Sequence, residues 1–380
     1  MKRFAGLFVS GLLLSASVLV GGQAEASTAK FIPAQGKAIE NQYIVVLKEG
    51  ANPRAVAAVA GVTPKYEYDA VLNGFAAELN AGQLNALQNN PNVDYIEQDA
   101  EVTLNTTQTG ATWGLDRIDQ RYLPLNGTYN YTRTGSGVRA YIIDTGVYKH
   151  ANFGGRVVDG YDAVDGSLPA ADCNGHGTHV AGTVGSATYG VAKGVTIVAV
   201  RVLDCNGSGT WSGVIAGMNW VANNRVLPAV ANMSLGGGAN TSVDSAATNM
   251  VNRGVTTVVA AGNSNANACN YSPARASGVL TVAASASNDS KASFSNYGSC
   301  VELYAPGVSI TSTWNNGGTN TISGTSMASP HVAGVAALYL QGSTATPSTV
   351  NNWIITNATT NVITGNPTGT PNRLLYKSTL

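Results

Sequence analysis

Five short apolar runs, at 138–143, 195–202, 229–235, 255–260 and 279–284, carry Val, Ile and Ala with few polar interruptions. Runs of strand length without polar alternation are those of strands covered on both faces, as in a parallel sheet. Between and after them the apolar spacing becomes helical, with helix starts at His176, Ser212, Ser242, Ser326 and Pro347, the last preceded by Thr346 as a cap. This alternation over about 270 residues predicts a doubly wound α/β domain large enough to bury a sizeable core.

The stretch from 42 to 102 follows another pattern. Strand-like runs at 42–48, 65–69, 74–79 and 93–98 enclose helical segments at 53–61 and 81–90, an order that predicts a small α+β unit of the ferredoxin-like, split βαβ type. Alone it reads as a small binding domain. Ahead of it, Lys2 and Arg3, an apolar run through Val20 and Ala24-Glu25-Ala26 have the layout of a secretory signal peptide with a small-x-small cleavage site. No later stretch approaches the roughly 20 apolar residues of a spanning helix. The expected divisions are a signal peptide at 1–26, a propeptide at 27–105 folded over about 42–103, and a main domain at 106–380 that ends without an appended domain. An exported, extracellular product is expected.

Charge changes little. The chain has 21 basic and 21 acidic residues, and charged residues make up 11% of it, which points to neither nucleic acid nor a membrane surface as partner. The four cysteines, Cys173, Cys205, Cys269 and Cys300, are an even number in an exported chain, and two disulfides have three possible connectivities. A zinc site or catalytic thiol lacks the CxxC spacing.

The chemistry centres on ISGTSMASPHVAG, where Ser326 sits in a small-residue turn opening into an apolar helix. At a helix start its backbone N–H is free and the dipole favours an anion. A lone serine there is more often a cap, and an unaided hydroxyl is a weak nucleophile. A base must come from the four histidines at 150, 176, 179 and 331, and no Asp or Glu follows Ser326. The α/β-hydrolase order of Ser, acid, His is therefore excluded. Asp144 ends the first apolar run and precedes Gly146, at the sheet edge where α/β folds place their sites. In NGHGTHVAG, His176 stands at a Gly-flanked helix start and His179 points elsewhere around the helix, so His176 is the better base. Singly, Asp144 reads as a turn residue and the histidine pair as a metal pair lacking the zincin Glu. Together, in the order Asp144, His176, Ser326, they fit the subtilisin arrangement. A dinucleotide-binding domain would alternate similarly, but no GxGxxG opens a helix after the first strand.

With IIDTG, NGHGTHVAG, ANMSLGGG, AAGN and GTSMASPHVAG in one ordered set, the chain resembles the subtilases, in the proteinase K branch and closest to the aqualysin group, without a break from about Trp113 to Tyr376. The resemblance implies a secreted serine endopeptidase acting on proteins and peptides through Asp144, His176 and Ser326, with Asn263 completing an oxyanion hole. Asn206-Gly207-Ser208-Gly209 and Ser234-Leu235-Gly236-Gly237-Gly238 are poor in side chains, which leaves their backbone open to an added strand, and the resemblance makes them the two walls of the cleft between which an extended peptide lies. The pocket before the scissile bond would be lined by Ser234–Gly236 with Ala260, Ala261 and Gly262, all small or apolar, giving broad cleavage after apolar or aromatic residues. The leading unit would be an intramolecular inhibitor and folding aid, removed by self-cleavage near Asn105 and Thr106, and the product a monomer. The disulfide pairs implied are Cys173 with Cys205 and Cys269 with Cys300, each closing a loop worth roughly 3 to 4 kcal/mol on the chain-entropy model. Structural calcium is implied at Asp116, Asp119 and Gln120, with Asn126 and Thr128 close by, although both acids could instead pair with Arg117 and Arg121. Glu302 stands where proteinase K relatives carry an Asp ligand. The competing readings are an inactive subtilase-like peptide-binding protein and, more distantly, an α/β oxidoreductase.

Overall fold

The computed structural model describes residues 28–34, 38–100 and 106–380, so the leader expected at 1–26 and the Asn105 side of the expected cut lie outside the described residues. The described residues fall into two compact units, divided between 102 and 103.

The first unit runs β1 (Lys30–Ile32), β2 (Ala38–Leu47), α1 (Pro53–Val59), β3 (Tyr66–Tyr68), β4 (Gly74–Glu78), α2 (Ala81–Gln88) and β5 (Val93–Ala100), with strands in the order β1-β5-β2-β4-β3. Apart from the short strand β1, parallel to β5, this is the expected split βαβ pattern. Polar residues set its helix starts. Asn52 accepts the Ala55 N–H ahead of Pro53 in the first turn, and Asn80 and Gln83 form a reciprocal capping box. Val45, Phe75, Leu87 and Ile96 are fully buried between sheet and helices.

The second unit is built on a nine-stranded sheet. Its elements are β6 (Thr106–Thr109), α3 (Trp113–Asp119), β7 (Thr128–Tyr131), β8 (Arg139–Asp144), β9 (Val157–Asp162), α4 (His176–Gly185), β10 (Thr196–Arg201), α5 (Trp211–Asn224), β11 (Ala229–Met233) and β12 (Gly237–Gly238). There follow α6 (Thr241–Asn252), β13 (Val255–Ala260), β14 (Tyr271–Ser272), β15 (Leu280–Ser285), β16 (Leu303–Pro306), β17 (Ile310–Thr313), β18 (Thr319–Ile322), α7 (Thr325–Leu340), α8 (Pro347–Asn357), β19 (Thr359–Thr360) and β20 (Arg373–Leu374). The sheet order is β19-β20-β16-β15-β13-β11-β8-β10-β9, all parallel except the β19–β20 edge.

Alternate residues of the apolar strands serve two cores. Ala140, Ile142, Ile197, Ala199 and Val230 pack against α4 and α7, while Tyr141, Ile143, Val198, Val200 and Ala231 pack against α5 and α6. Each fully buried Val or Ile contributes about 1.5–3 kcal/mol, which is why these strands carry apolar residues on both faces. The run at 229–235 ends as a strand at Met233, and the next residue, Ser234, gives its carbonyl to the Ser326 hydroxyl. Thr210 and Asn240 cap α5 and α6, so those helices begin one residue earlier than expected. Among the described residues no helix is long and apolar enough to cross a membrane.

Candidate active site

Asp144 ends β8 and is fully buried; its Oδ1 accepts the Thr145 N–H and the His176 Nδ1–H, each at 2.7 Å. A carboxylate only accepts, so the proton sits on Nδ1 and Nε2 carries the lone pair. His176 is the first residue of α4 and its side chain is 26% exposed. Burial works against its charged form, but the charge and hydrogen bond of Asp144 outweigh this, with Asp172 adding, and the imidazole is held above its ordinary value of 6.5. The close approach of α4 to β8 needs Gly177, where a Cβ would run into the Gly146 carbonyl and lie 3.2 Å from Asp144 Oδ1.

The other three histidines are held in place as structural groups. His179 bonds through Nε2 to the carbonyls of Ile310 and Asn320 and is lowered to about 4 by burial. His331, buried inside α7, bonds to the Met327 carbonyl and is likewise lowered to about 4 by burial. His150 accepts the Asn152 N–H and meets the Gly318 carbonyl.

Ser326 is the second residue of α7. Its Oγ donates to the Ser234 carbonyl at 3.1 Å, and Ser234 Oγ donates back to the Ser326 carbonyl at 2.8 Å. The structure thus joins Asp144 to His176 and Ser326 to Ser234, with the serine hydroxyl turned to the cleft wall. Catalytic hydrogen bonds commonly tighten only with substrate, and one rotation about the Ser326 Cα–Cβ bond re-aims this hydroxyl. Asn263, three residues beyond β13, accepts the Thr325 N–H at 2.8 Å and the Thr325 hydroxyl at 2.9 Å on its Oδ1. This leaves its Nδ2 to donate elsewhere. A Cβ placed on Gly324 would lie 3.6 Å from Ser326 N and 3.7 Å from Asn263 Nδ2, so both donors border one small space.

A cleft of about 510 Å³ opens beside His176. Gly207, Ser208 and Gly209 line it together with Ser234, Leu235 and Gly236 and the apolar Leu203, Trp211 and Val214, and the lining holds no Asp, Glu, Lys or Arg. Ala260, Ala261 and Gly262 lie outside that lining; Ala261 packs in a separate small cluster with Ala268 and Tyr304. Gly237 and Gly238, expected to be open to a peptide, already pair with Tyr271 and Ser272.

Both disulfides join the implied partners, Cys173 to Cys205 and Cys269 to Cys300. The first ties the His176 loop to the 206–209 wall, and Asn174 Nδ2 adds a bond to the Cys205 carbonyl. At the loop considered for calcium, Asp116 accepts the N–H groups of Asn126 and Gly127, Asp119 that of Asn130, and Gln120 Nε2 donates to the carbonyls of Tyr122 and Pro124. The alternative pairing does not occur. Arg117 forms a buried bidentate pair with Asp289, and Arg121 lies over the Tyr376 ring. Among the described residues no three His, Cys, Asp or Glu gather as a metal cluster. Glu302 accepts the Thr281 N–H and is pushed up to about 7 by burial.

Two residues escaped the sequence reading. Asp172 is buried with five bonds: Oδ1 accepts the Thr145 hydroxyl and the Asn174 and Gly175 N–H groups, and Oδ2 accepts the Thr178 N–H and hydroxyl. The N-cap of α4 is Gly175, and Asp172 instead closes the turn ahead of it through the N–H groups two and three residues on, so an Asp before Asn174-Gly175 was a signal for a turn only. Asn296, which grips the loop bearing Asn263, has no such signal, since its partners lie some 30 residues away.

Residues 135–374 match the model of the Subtilase family, and residues 42–105 that of Peptidase inhibitor I9. The chain is 51% identical over 369 residues to an extracellular serine proteinase of Thermus sp. (strain Rt41A), with 90% of each chain covered. It is 45% identical over 362 residues to proteinase R of Parengyodontium album, with 92% of each covered. The crystal structure of a cold adapted subtilisin-like serine proteinase superposes with a TM-score of 0.70 at 58% identity, covering 71% of this chain and 99% of that one.

Proposed function

The chain belongs to the subtilase family and is a serine protease with an I9 inhibitor domain ahead of it, and from that premise we propose that it is a secreted endopeptidase working through Asp144, His176 and Ser326. The observation that carries this is the 2.7 Å bond from His176 Nδ1 to the buried Asp144, which leaves Nε2 free to take a proton.

Ser326 Oγ attacks the scissile carbonyl carbon as its proton passes to His176 Nε2, and Asp144 stabilises the imidazolium. The resulting oxyanion accepts from Ser326 N–H and Asn263 Nδ2–H. When the C–N bond breaks, Nε2–H protonates the leaving amine. Water, activated by the same imidazole, then hydrolyses the acyl ester and restores Ser326. The walls at 206–209 and 234–236 hold the peptide as an added strand. Their lack of charge suits apolar or aromatic side chains before the scissile bond, and a peptide series varied only there should give lowest kcat/KM for Asp, Glu and Lys.

Residues 27–105 act as the inhibitor and folding aid, released by self-cleavage near Asn105–Thr106 after export directed by residues 1–26. A calcium ion is assigned to the Asp116–Gln120 loop. The donors are all oxygen, as calcium prefers, and Asp119 is raised by burial, with the Asp116 charge adding, which a cation would relieve. Bound there, the ion would tie α3 to the 126–130 segment and take no part in the chemistry.

The test is the intact mass of wild type beside Ser326→Ala after incubation with calcium. Wild type is expected to fall to a fragment starting near Thr106 while the variant keeps its propeptide. Equal cutting of both would assign processing to another protease. Neither cutting nor turnover of peptides would leave the inactive peptide-binding reading in its place.

A further inference from the structure

The loop that bears Asn263 is gripped on both sides by one buried side chain. Asn296 Nδ2 donates to the Ala261 carbonyl at 2.8 Å and its backbone N–H donates to the Gly262 carbonyl at 2.9 Å, before Asn263. Past Asn263, Asn296 Oδ1 accepts the N–H groups of Ser264 and Ala266, each at 3.0 Å. None of the four bonds reaches Asn263 itself, and Asn296 is fully buried. Gly262 has a φ of +100°, and a Cβ there would occupy the place of Asn296 Nδ2, so a glycine next to Asn263 is what lets the amide in. Asn296 is anchored in turn. The preceding Ser295 Oγ accepts the Ala284 N–H from β15 and donates to the Asn296 carbonyl.

We propose that Asn296 is a positioning residue for the oxyanion donor, setting the height of the 261–266 loop so that Asn263 Nδ2 borders the same space as Ser326 N–H. Thr325 fixes which end of the Asn263 amide faces that space. Asn296 fixes where the amide stands. The inference rests on Asn263 being the oxyanion donor. Donor bonds to the oxyanion strengthen in the transition state, so a displaced loop lowers kcat and leaves KM nearly unchanged.

The experiment makes Asn296→Ala and Asn296→Asp, each alone and with Asn263→Ala, processed in trans by wild-type enzyme where self-processing fails. Asn296→Asp keeps the side-chain volume and the acceptor bonds but loses the donor to Ala261. Read out are kcat and KM on one peptide amide and the affinity for a peptide aldehyde, whose adduct with Ser326 carries the oxyanion. Asn263→Ala alone should lower kcat about 10²–10³-fold, as the equivalent change does in a subtilisin. The Asn296 variants should lower kcat about 10–100-fold with KM within about 2-fold, weaken aldehyde binding in step, and cost under about 2-fold more once Asn263 is Ala. Full kcat in a folded variant, a loss confined to KM, or a loss repeated in the Asn263→Ala background would overturn the proposal. So would failure of both variants to fold, since Asn296 would then hold the domain rather than the donor. If Asn263→Ala leaves kcat unchanged, the oxyanion reading falls and this inference with it. If only the Asn296 variants are silent, this inference alone falls.

Discussion

Thr145 Oγ1 donates to Asp172 Oδ1 at 2.9 Å and accepts the Gly177 N–H at 2.9 Å, so the residue after Asp144 is tied to the start of the His176 helix. Asp144 and His176 are thus joined twice, once directly and once through Thr145 and a second buried carboxylate.

Asp172→Asn removes a charge that helps raise His176 and turns an N–H toward the Thr178 donors. The acidic limb of the kcat/KM profile should move to lower pH. Stability should fall by about 1–3 kcal/mol, the cost of buried polar groups left unpaired. A pH–rate profile and thermal melts of the mature enzyme check both.

In the proposed mechanism the imidazole must be neutral to accept the serine proton. Because His176 is raised above 6.5, activity should be lost as pH falls through a midpoint above that value. Asp144→Asn should move the limb down and cut kcat about 10⁴-fold, because the wrong tautomer is then favoured. Measuring kcat/KM from pH 5 to 9 on both proteins tests it; an unmoved limb would assign it to another group.

Glu302 is pushed up to about 7 from 4.5, so between these values the folded state holds a proton that the unfolded chain has lost. Stability from this group is therefore present below 4.5 and declines as pH rises through 7. Glu302→Gln keeps an acceptor for the Thr281 N–H without the charge. It should raise the melting temperature at pH 8 and leave it unchanged at pH 4, measured on mature enzyme inactivated at Ser326 to prevent autolysis.

Chelating calcium should lower the melting temperature by about 5–10 °C, the shift expected when an ion well above its Kd is lost from a domain of this size. Asp119→Asn should shrink the gap between calcium-loaded and chelated samples. Melts at several free-calcium concentrations decide it, and a flat response would remove the ion from this loop.

The apolar strands, the helix starts and the five chemical motifs were legible in the chain because each is a local pattern. A buried parallel strand must be apolar on both faces, and a site on α/β strand ends and helix starts must carry its residues beside turns. The family is fixed by those motifs in their order. Tertiary structure alone decided that Arg117 turns to Asp289 rather than to its neighbours, that Gly237 and Gly238 are already paired, and that Ser326 Oγ meets the Ser234 carbonyl. It alone showed that Thr145 also turns to Asp172, and that Asn296 grips the loop bearing Asn263. For the buried Arg117, Asp172 and Asn296 the physical reason is common. A buried polar group takes whichever partner the packed chain brings within about 3 Å, and that partner can stand anywhere in the sequence.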